Sequence, residues 1–220
     1  MINDHPKEKR IRNVVFDLGG VLITYDPRRY LSEVIQEEEE RAKYFSFIFQ
    51  SPEWVELDRG RLTIANARRI YTQRHPNYRK GIERIFETWC DLFHPIPAML
   101  ELADELATQG YDLYLLSNCI REAYDYLRSR YTIFKRFKGC VLSFQLGWVK
   151  PEREIYEHLL KTYRLLPQEC LFIDDMERNV AGARAAGIPA VRFESIERLR
   201  KELTSRLKVP LVKEYDGEMP

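Results

Sequence analysis

The chain has 220 residues, 45% of them hydrophobic and 31% charged, and its 35 basic and 34 acidic side chains leave a net charge of +1. That length suits one domain carrying a large insertion, or two small domains, and the even charge removes the electrostatic footprint of a nucleic-acid or anionic-membrane binder. No apolar run reaches the roughly 18 residues of a membrane span, and the polar start MINDHPKEKRIRN lacks the apolar core of a secretory signal, so a cytoplasmic protein is expected.

The first predicted strand is NVVFD, residues 13–17, a β-branched and aromatic run that ends in a carboxylate, Asp17, with Gly19 and Gly20 close behind. Residues 27–95 then hold no convincing strand. They read as helices: RRYLSEVIQ, EEEERAKYFSFIFQ, LTIANARRIYTQR and YRKGIERIFETWCDLF. The acidic block Glu37–Glu40 suits a solvated helix start. Ser51 and Pro52 read as cap and first turn of another helix, and Thr63 as a further cap. Trp54 and Trp89 are expected in the core of this helical region.

Beyond it, IPAMLELADELATQG is a helix ending at Gly110, and YDLYLLSN, 111–118, is a second strand ending in Ser117 and Asn118. GCVLSF, 139–144, is a third strand, followed by Lys150 and by a helix expected to open at Pro151. CLFIDD, 170–175, ends in Asp174 and Asp175; the Ala-rich NVAGARAAG leads to the last strand, PAVRF, 189–193. From Lys208 the chain reads as a loose tail. Continuous apolar runs alternating with helices predict an α/β fold around a Rossmann-like parallel sheet buried on both faces. The expected division is a core of residues 10–26 and 96–207, a helical cap of 27–95 and a tail of 208–220. Cys90, Cys119, Cys140 and Cys170 have neither CxxC nor zinc-type spacing and are expected as free thiols.

Ligands of an open parallel sheet bind beyond the carboxyl ends of its strands. This chain puts Asp17, Ser117, Asn118, Lys150, Asp174 and Asp175 there. Three carboxylates in one crevice repel one another, a conflict that a hard divalent cation such as Mg²⁺ resolves. The Lys150 ammonium and Ser117 hydroxyl suit a phosphoryl group. A dinucleotide-binding reading fails for want of GxGxxG, and no Walker-type loop is present.

The segments FDLGGVL, LLSN, KPEREIY and FIDDMERNVAGARAAGI resemble, in order and spacing, the four motifs of the haloacid dehalogenase-like (HAD) hydrolase superfamily. The helical insert resembles its type 1 cap, and FDLG resembles the first motif of the bacterial α-glucose-1-phosphate phosphatase subgroup. The resemblance implies a phosphatase acting on a small phosphoester, a sugar phosphate being one candidate. Asp17 would be the nucleophile that forms an aspartyl-phosphate, and Mg²⁺ would be held by Asp17, Asp175, the Gly19 carbonyl and Asp174. Ser117 and Asn118 would hold phosphate oxygens, Lys150 would neutralise charge, and Asn179 would orient Asp175. In the loop WVELDRGRLT, the residues Glu56, Asp58 and Arg59 are candidates to touch the substrate.

One position departs from the family pattern. Most of its phosphatases carry an aspartate two residues after the nucleophile as general acid; here that position is Gly19. The leaving group needs little help, the substrate or water supplies the proton, or the protein is not a fast phosphatase. A dehalogenase, which expels halide without an acid, and a non-catalytic binding protein of the same fold are the alternatives. The sequence leaves the substrate and the oligomeric state open.

Overall fold

The computed structural model describes residues 10–207; the expected tail from Lys208 lies outside them. Strand β1 (Asn13–Phe16) is wholly buried. After it come α1 (Pro27–Val34), α2 (Glu38–Tyr44), a π-helical turn (Phe45–Phe49), α3 (Pro52–Asp58), α4 (Ile64–Arg74) and α5 (Arg79–Thr88). The chain then alternates through α6 (Pro97–Thr108), β2 (Asp112–Ser117), α7 (Arg121–Arg130), β3 (Phe137–Leu142), a single helical turn α8 (Ser143–Leu146) and α9 (Arg153–Tyr163). It ends with β4 (Cys170–Asp174), α10 (Glu177–Ala185), β5 (Ala190–Arg192) and α11 (Ile196–Leu207).

The five strands form one parallel sheet in the order β3-β2-β1-β4-β5. Between β1 and β4 the winding reverses, which opens a crevice at their carboxyl ends. Alternate side chains divide between two cores. Val14, Phe16, Leu113, Leu115, Leu171 and Ile173 pack into a large cluster shared with α6, α11 and the helices of residues 27–92. Val15, Tyr114, Leu116 and Phe172 pack with α9 and α10 on the other face.

Local signals act as the sequence leads one to expect in the helical region. The Ser51 hydroxyl accepts from Trp54 N and Pro52 fills the first turn of α3, while Thr63 caps α4 through Asn66 N. Glu38, Glu39 and Glu40 occupy the first turn of α2, where the helix dipole favours them. Gly110 takes φ +89° beyond α6, a conformation that glycine adopts without Cβ strain.

Two expectations are corrected. Strand β3 covers 137–142 rather than 139–144. It is an edge strand with a register irregularity near its start, so its first residues are only half-covered and the apolar run misses them. Ser143 and Phe144 instead turn into α8, as the Ser143 hydroxyl bonds to Cys119 N and to main-chain carbonyls. Pro151 does not open the next helix either. The Lys150–Pro151 peptide is cis, Glu152 takes the cap position of α9, and its carboxylate accepts from Val149 N at 3.0 Å.

Candidate active site

Asp17 follows β1 directly, its N–H still bonded to the Ile173 carbonyl of β4 at 2.9 Å. That ladder fixes the side chain at the crevice. One carboxylate oxygen accepts from Leu18 N at 2.7 Å and meets Lys150 Nζ at 2.7 Å. The same ammonium lies 2.6 Å from Asp174 Oδ2, and the three side chains are nearly or wholly buried. Burial works against the Lys150 charge, but the Asp17 and Asp174 carboxylates outweigh it and raise its pKa above the ordinary lysine value. Burial raises the Asp17 carboxyl, Lys150 pulls it back, and Asp174 adds to the rise; the balance lies above the ordinary carboxylate range.

Asp174 is saturated. Besides Lys150 it accepts Met176 N at 2.9 Å and Asn179 Nδ2 at 2.9 and 3.1 Å. Asn179 therefore holds Asp174 and not the expected Asp175. Adjacent residues at a strand end point to opposite sides, and it is Asp174 that faces α10. Asn118 also has a use the sequence does not reveal. Its amide donates to the Lys150 carbonyl at 3.0 Å and accepts from Lys150 N at 2.7 Å, so the side chain fixes the lysine's backbone. Gly182 of α10 keeps that loop close, since a Cβ there would meet Pro151 at 2.9 Å.

Asp17, Asp174 and Asp175 each offer an oxygen within 4.8 Å of the others. One ammonium serves the three. Burial, and then the neighbouring Asp174, raise the Asp175 pKa. An excess of negative charge, hard oxygen donors and few carboxylates fit Mg²⁺. The two carboxylates with capacity to spare are Asp17, through its second oxygen, and Asp175. Gly20 closes the far side: with φ +79°, a Cβ there would lie 2.6 Å from Asp175 Oδ2.

These groups open into a cavity of about 290 Å³ that is lined by Asp17, Gly19, Ser117, Asn118, Lys150, Asp175 and Asn179 at its polar end. The helical region closes it with Tyr25, Phe49, Trp54, Val55, Asp58 and Phe93. Of the three candidates in the last turn of α3 and its C-cap, Asp58 lines the cavity, while Glu56 and Arg59 are not among its lining residues. Arg59 pairs with Glu152, donates to the Gly147 carbonyl at 2.6 Å and approaches Glu56 at 3.8 Å. Trp54 is both core and wall, tilted against Phe49 at 4.7 Å, whereas Trp89 packs edge-on to Phe93.

The model of the haloacid dehalogenase-like hydrolase family matches residues 11–187. The chain belongs to the haloacid dehalogenase-like hydrolases. This hydrolase is 28% identical over 174 residues to the sesquiterpene phosphatase of Aspergillus oryzae, a match covering 79% of this chain and 85% of that protein. It is 27% identical over 218 residues to the D-ribitol-5-phosphate phosphatase of Bacteroides thetaiotaomicron, covering 88% and 97%. A HAD family enzyme of Bacteroides thetaiotaomicron, crystallised with magnesium and inorganic phosphate, superposes with a TM-score of 0.62 at 25% identity, covering 84% of this chain and 94% of the other. No helix among the described residues of the hydrolase is long and apolar enough to cross a membrane.

Proposed function

We propose that this hydrolase is a Mg²⁺-dependent phosphatase that cleaves a small phosphate monoester through an aspartyl-phosphate on Asp17. The observation that carries the reading is the buried Asp17–Lys150–Asp174 chain, with Asp175 beside it, at the polar end of a cavity. Asp17 attacks phosphorus through its carboxylate while Lys150 offers positive charge to the transferring group. Ser117, which lines the cavity, would hold the phosphoryl oxygens. Water then hydrolyses the aspartyl-phosphate. Asp17, Asp175 and the Gly19 carbonyl would hold Mg²⁺, with Asp174 behind them, and the ion would supply charge neutralisation for phosphate.

In this reading the helical segment 27–95 is a cap over a core of 10–26 and 96–207, and it selects the organic half of the substrate. The phosphatases named above, one for a sesquiterpene and one for a polyol phosphate, support a phosphomonoester without fixing its alcohol. Dehalogenation by attack of Asp17 on carbon needs no metal and leaves the carboxylate trio without a purpose.

A phosphate-release screen over small phosphomonoesters, with Mg²⁺ and with EDTA, tests the proposal. Release that depends on Mg²⁺ and is lost in Asp17→Asn is expected. Metal-independent turnover of haloacids with none of phosphoesters overturns it, and turnover of neither favours a binding protein.

A further inference from the structure

Beyond the phosphate end, the cavity wall is mostly apolar. Ile23, Phe49, Trp54, Phe93, Ile120 and Leu127 line it, and Tyr25, Val55 and Met176 continue it to the mouth. Those three are 39%, 43% and 40% exposed, among the few large hydrophobic side chains that the described surface leaves open. Exposed apolar side chains that belong to the lining of one cavity are a binding feature rather than scattered exposure. A sugar or polyol would bury a hydroxyl on nearly every carbon, and each would need a partner. Away from the phosphate end, the lining side chains with polar atoms are Asp58, Tyr25, Trp54, Cys119 and the exposed Arg178, too few to pair a hydroxyl on every carbon.

We infer that the cavity takes phosphate monoesters of apolar alcohols, with the chain lying along α3 between Trp54, Val55 and Phe93. The inference rests on the phosphatase reading above. It is tested with the full chain and Mg²⁺ on n-alkyl phosphates from ethyl to decyl, beside ribitol 5-phosphate, glucose 1-phosphate and glucose 6-phosphate. Each buried methylene is expected to raise kcat/KM by about fourfold until the cavity is full. Val55→Glu, at an exposed site that tolerates the change, should flatten that slope and lower turnover of decyl phosphate by at least about tenfold. A flat series, faster turnover of the polyol esters, or a slope unchanged in Val55→Glu overturns the inference while leaving the phosphatase reading intact. No release from any ester overturns both.

A separate observation concerns the proton that Gly19 cannot supply. An alkoxide is a poor leaving group, and one carboxyl group stands in the apolar wall. Asp58 ends α3, its carbonyl held by the Ser143 hydroxyl at 2.5 Å and the following residue held by Glu152. Its carboxyl makes no hydrogen bond among the described residues, and Asp58 lines the same cavity as Asp17 and Lys150. We propose that Asp58 is the general acid. As Asp17 forms its bond to phosphorus, the phosphorus–alkoxy bond breaks, its electron pair stays on the alkoxy oxygen, and that oxygen takes the Asp58 proton. The resulting carboxylate can accept a proton from the water that hydrolyses the aspartyl-phosphate. Burial supports the assignment by raising the Asp58 pKa to about 7, against the pull of Lys150.

Asp58→Asn should lower kcat on decyl phosphate by about 10²–10⁴-fold and change p-nitrophenyl phosphate, whose leaving group needs no proton, by less than about tenfold. Gly19→Asp in the Asp58→Asn chain should restore part of the loss, since a Cβ at Gly19 meets only the Tyr25 side chain, its Cβ at 3.5 Å and its Cγ at 3.8 Å. Equal losses on both esters, or full activity of Asp58→Asn on decyl phosphate, overturn the assignment.

Discussion

Lys150 is the residue on which the site's electrostatics turn. Among the described residues it is the one cation bonded to both Asp17 and Asp174, and all three side chains are out of water. Removing one partner of a buried pair leaves charge uncompensated, so Lys150→Met should destabilise the fold by about 3–5 kcal/mol, read from urea unfolding. Asp58 gives a pH signature of the opposite kind. Its folded pKa of about 7 lies above the unfolded 3.8, so between those values the folded state binds the extra proton. Asp58 therefore makes stability fall as pH rises from about 4 to 7. Asp58→Asn should lack this loss, and its Tm relative to wild type should be higher at pH 8 than at pH 5. Asp17, Ser117, Lys150, Asp174 and Asp175 were legible in the sequence because strand ends in a parallel sheet gather at one edge. Which atoms Asn118 and Asn179 bind was not legible. Side-chain direction at a strand end, and the approach of α10, depend on residues far away in the chain.

At the scale of elements, the α3–α4 junction fastens the helical region to the sheet. Gly60 takes φ +69°, and a Cβ there would strike the Phe144 carbonyl. Gly60→Ala should cost at least about 1–3 kcal/mol in unfolding free energy, from backbone strain alone. The Arg59–Glu152 pair is partly exposed, at 17% and 35%, so its loss in Arg59→Ala should cost less than about 1 kcal/mol. The same change should lower kcat/KM by about ten- to a hundredfold, because α3 carries Trp54, Val55 and Asp58 and a small misplacement is costly. Here the sequence names three candidates, Glu56, Asp58 and Arg59, of which Asp58 lines the cavity. Glu56, Asp58 and Arg59 are equally polar, and only the packing of α3 on Gly147 and Glu152 turns Arg59 outward and Asp58 in. Caps at Ser51 and Thr63 were readable because they are local; the start of β3 and of α9 was not, because edge exposure and the Lys150–Pro151 loop are set by tertiary contacts.

The whole molecule places its chemistry where the sheet's winding reverses, with β1 and β4 side by side and the helical region as the cavity's apolar half. A metal that binds only the folded chain stabilises it by mass action. Mg²⁺ at about a hundred times its Kd should add about 2.7 kcal/mol, visible as a raised Tm in wild type and absent in Asp175→Asn. The most direct test of the account is to trap the covalent intermediate. Acid-quenched protein, taken during turnover of a good substrate with Mg²⁺, should carry a phosphoryl group on the peptide containing Asp17, and Asp17→Asn should carry none. Phosphate release with no phosphorylated Asp17, and with turnover retained in Asp17→Asn, would contradict it.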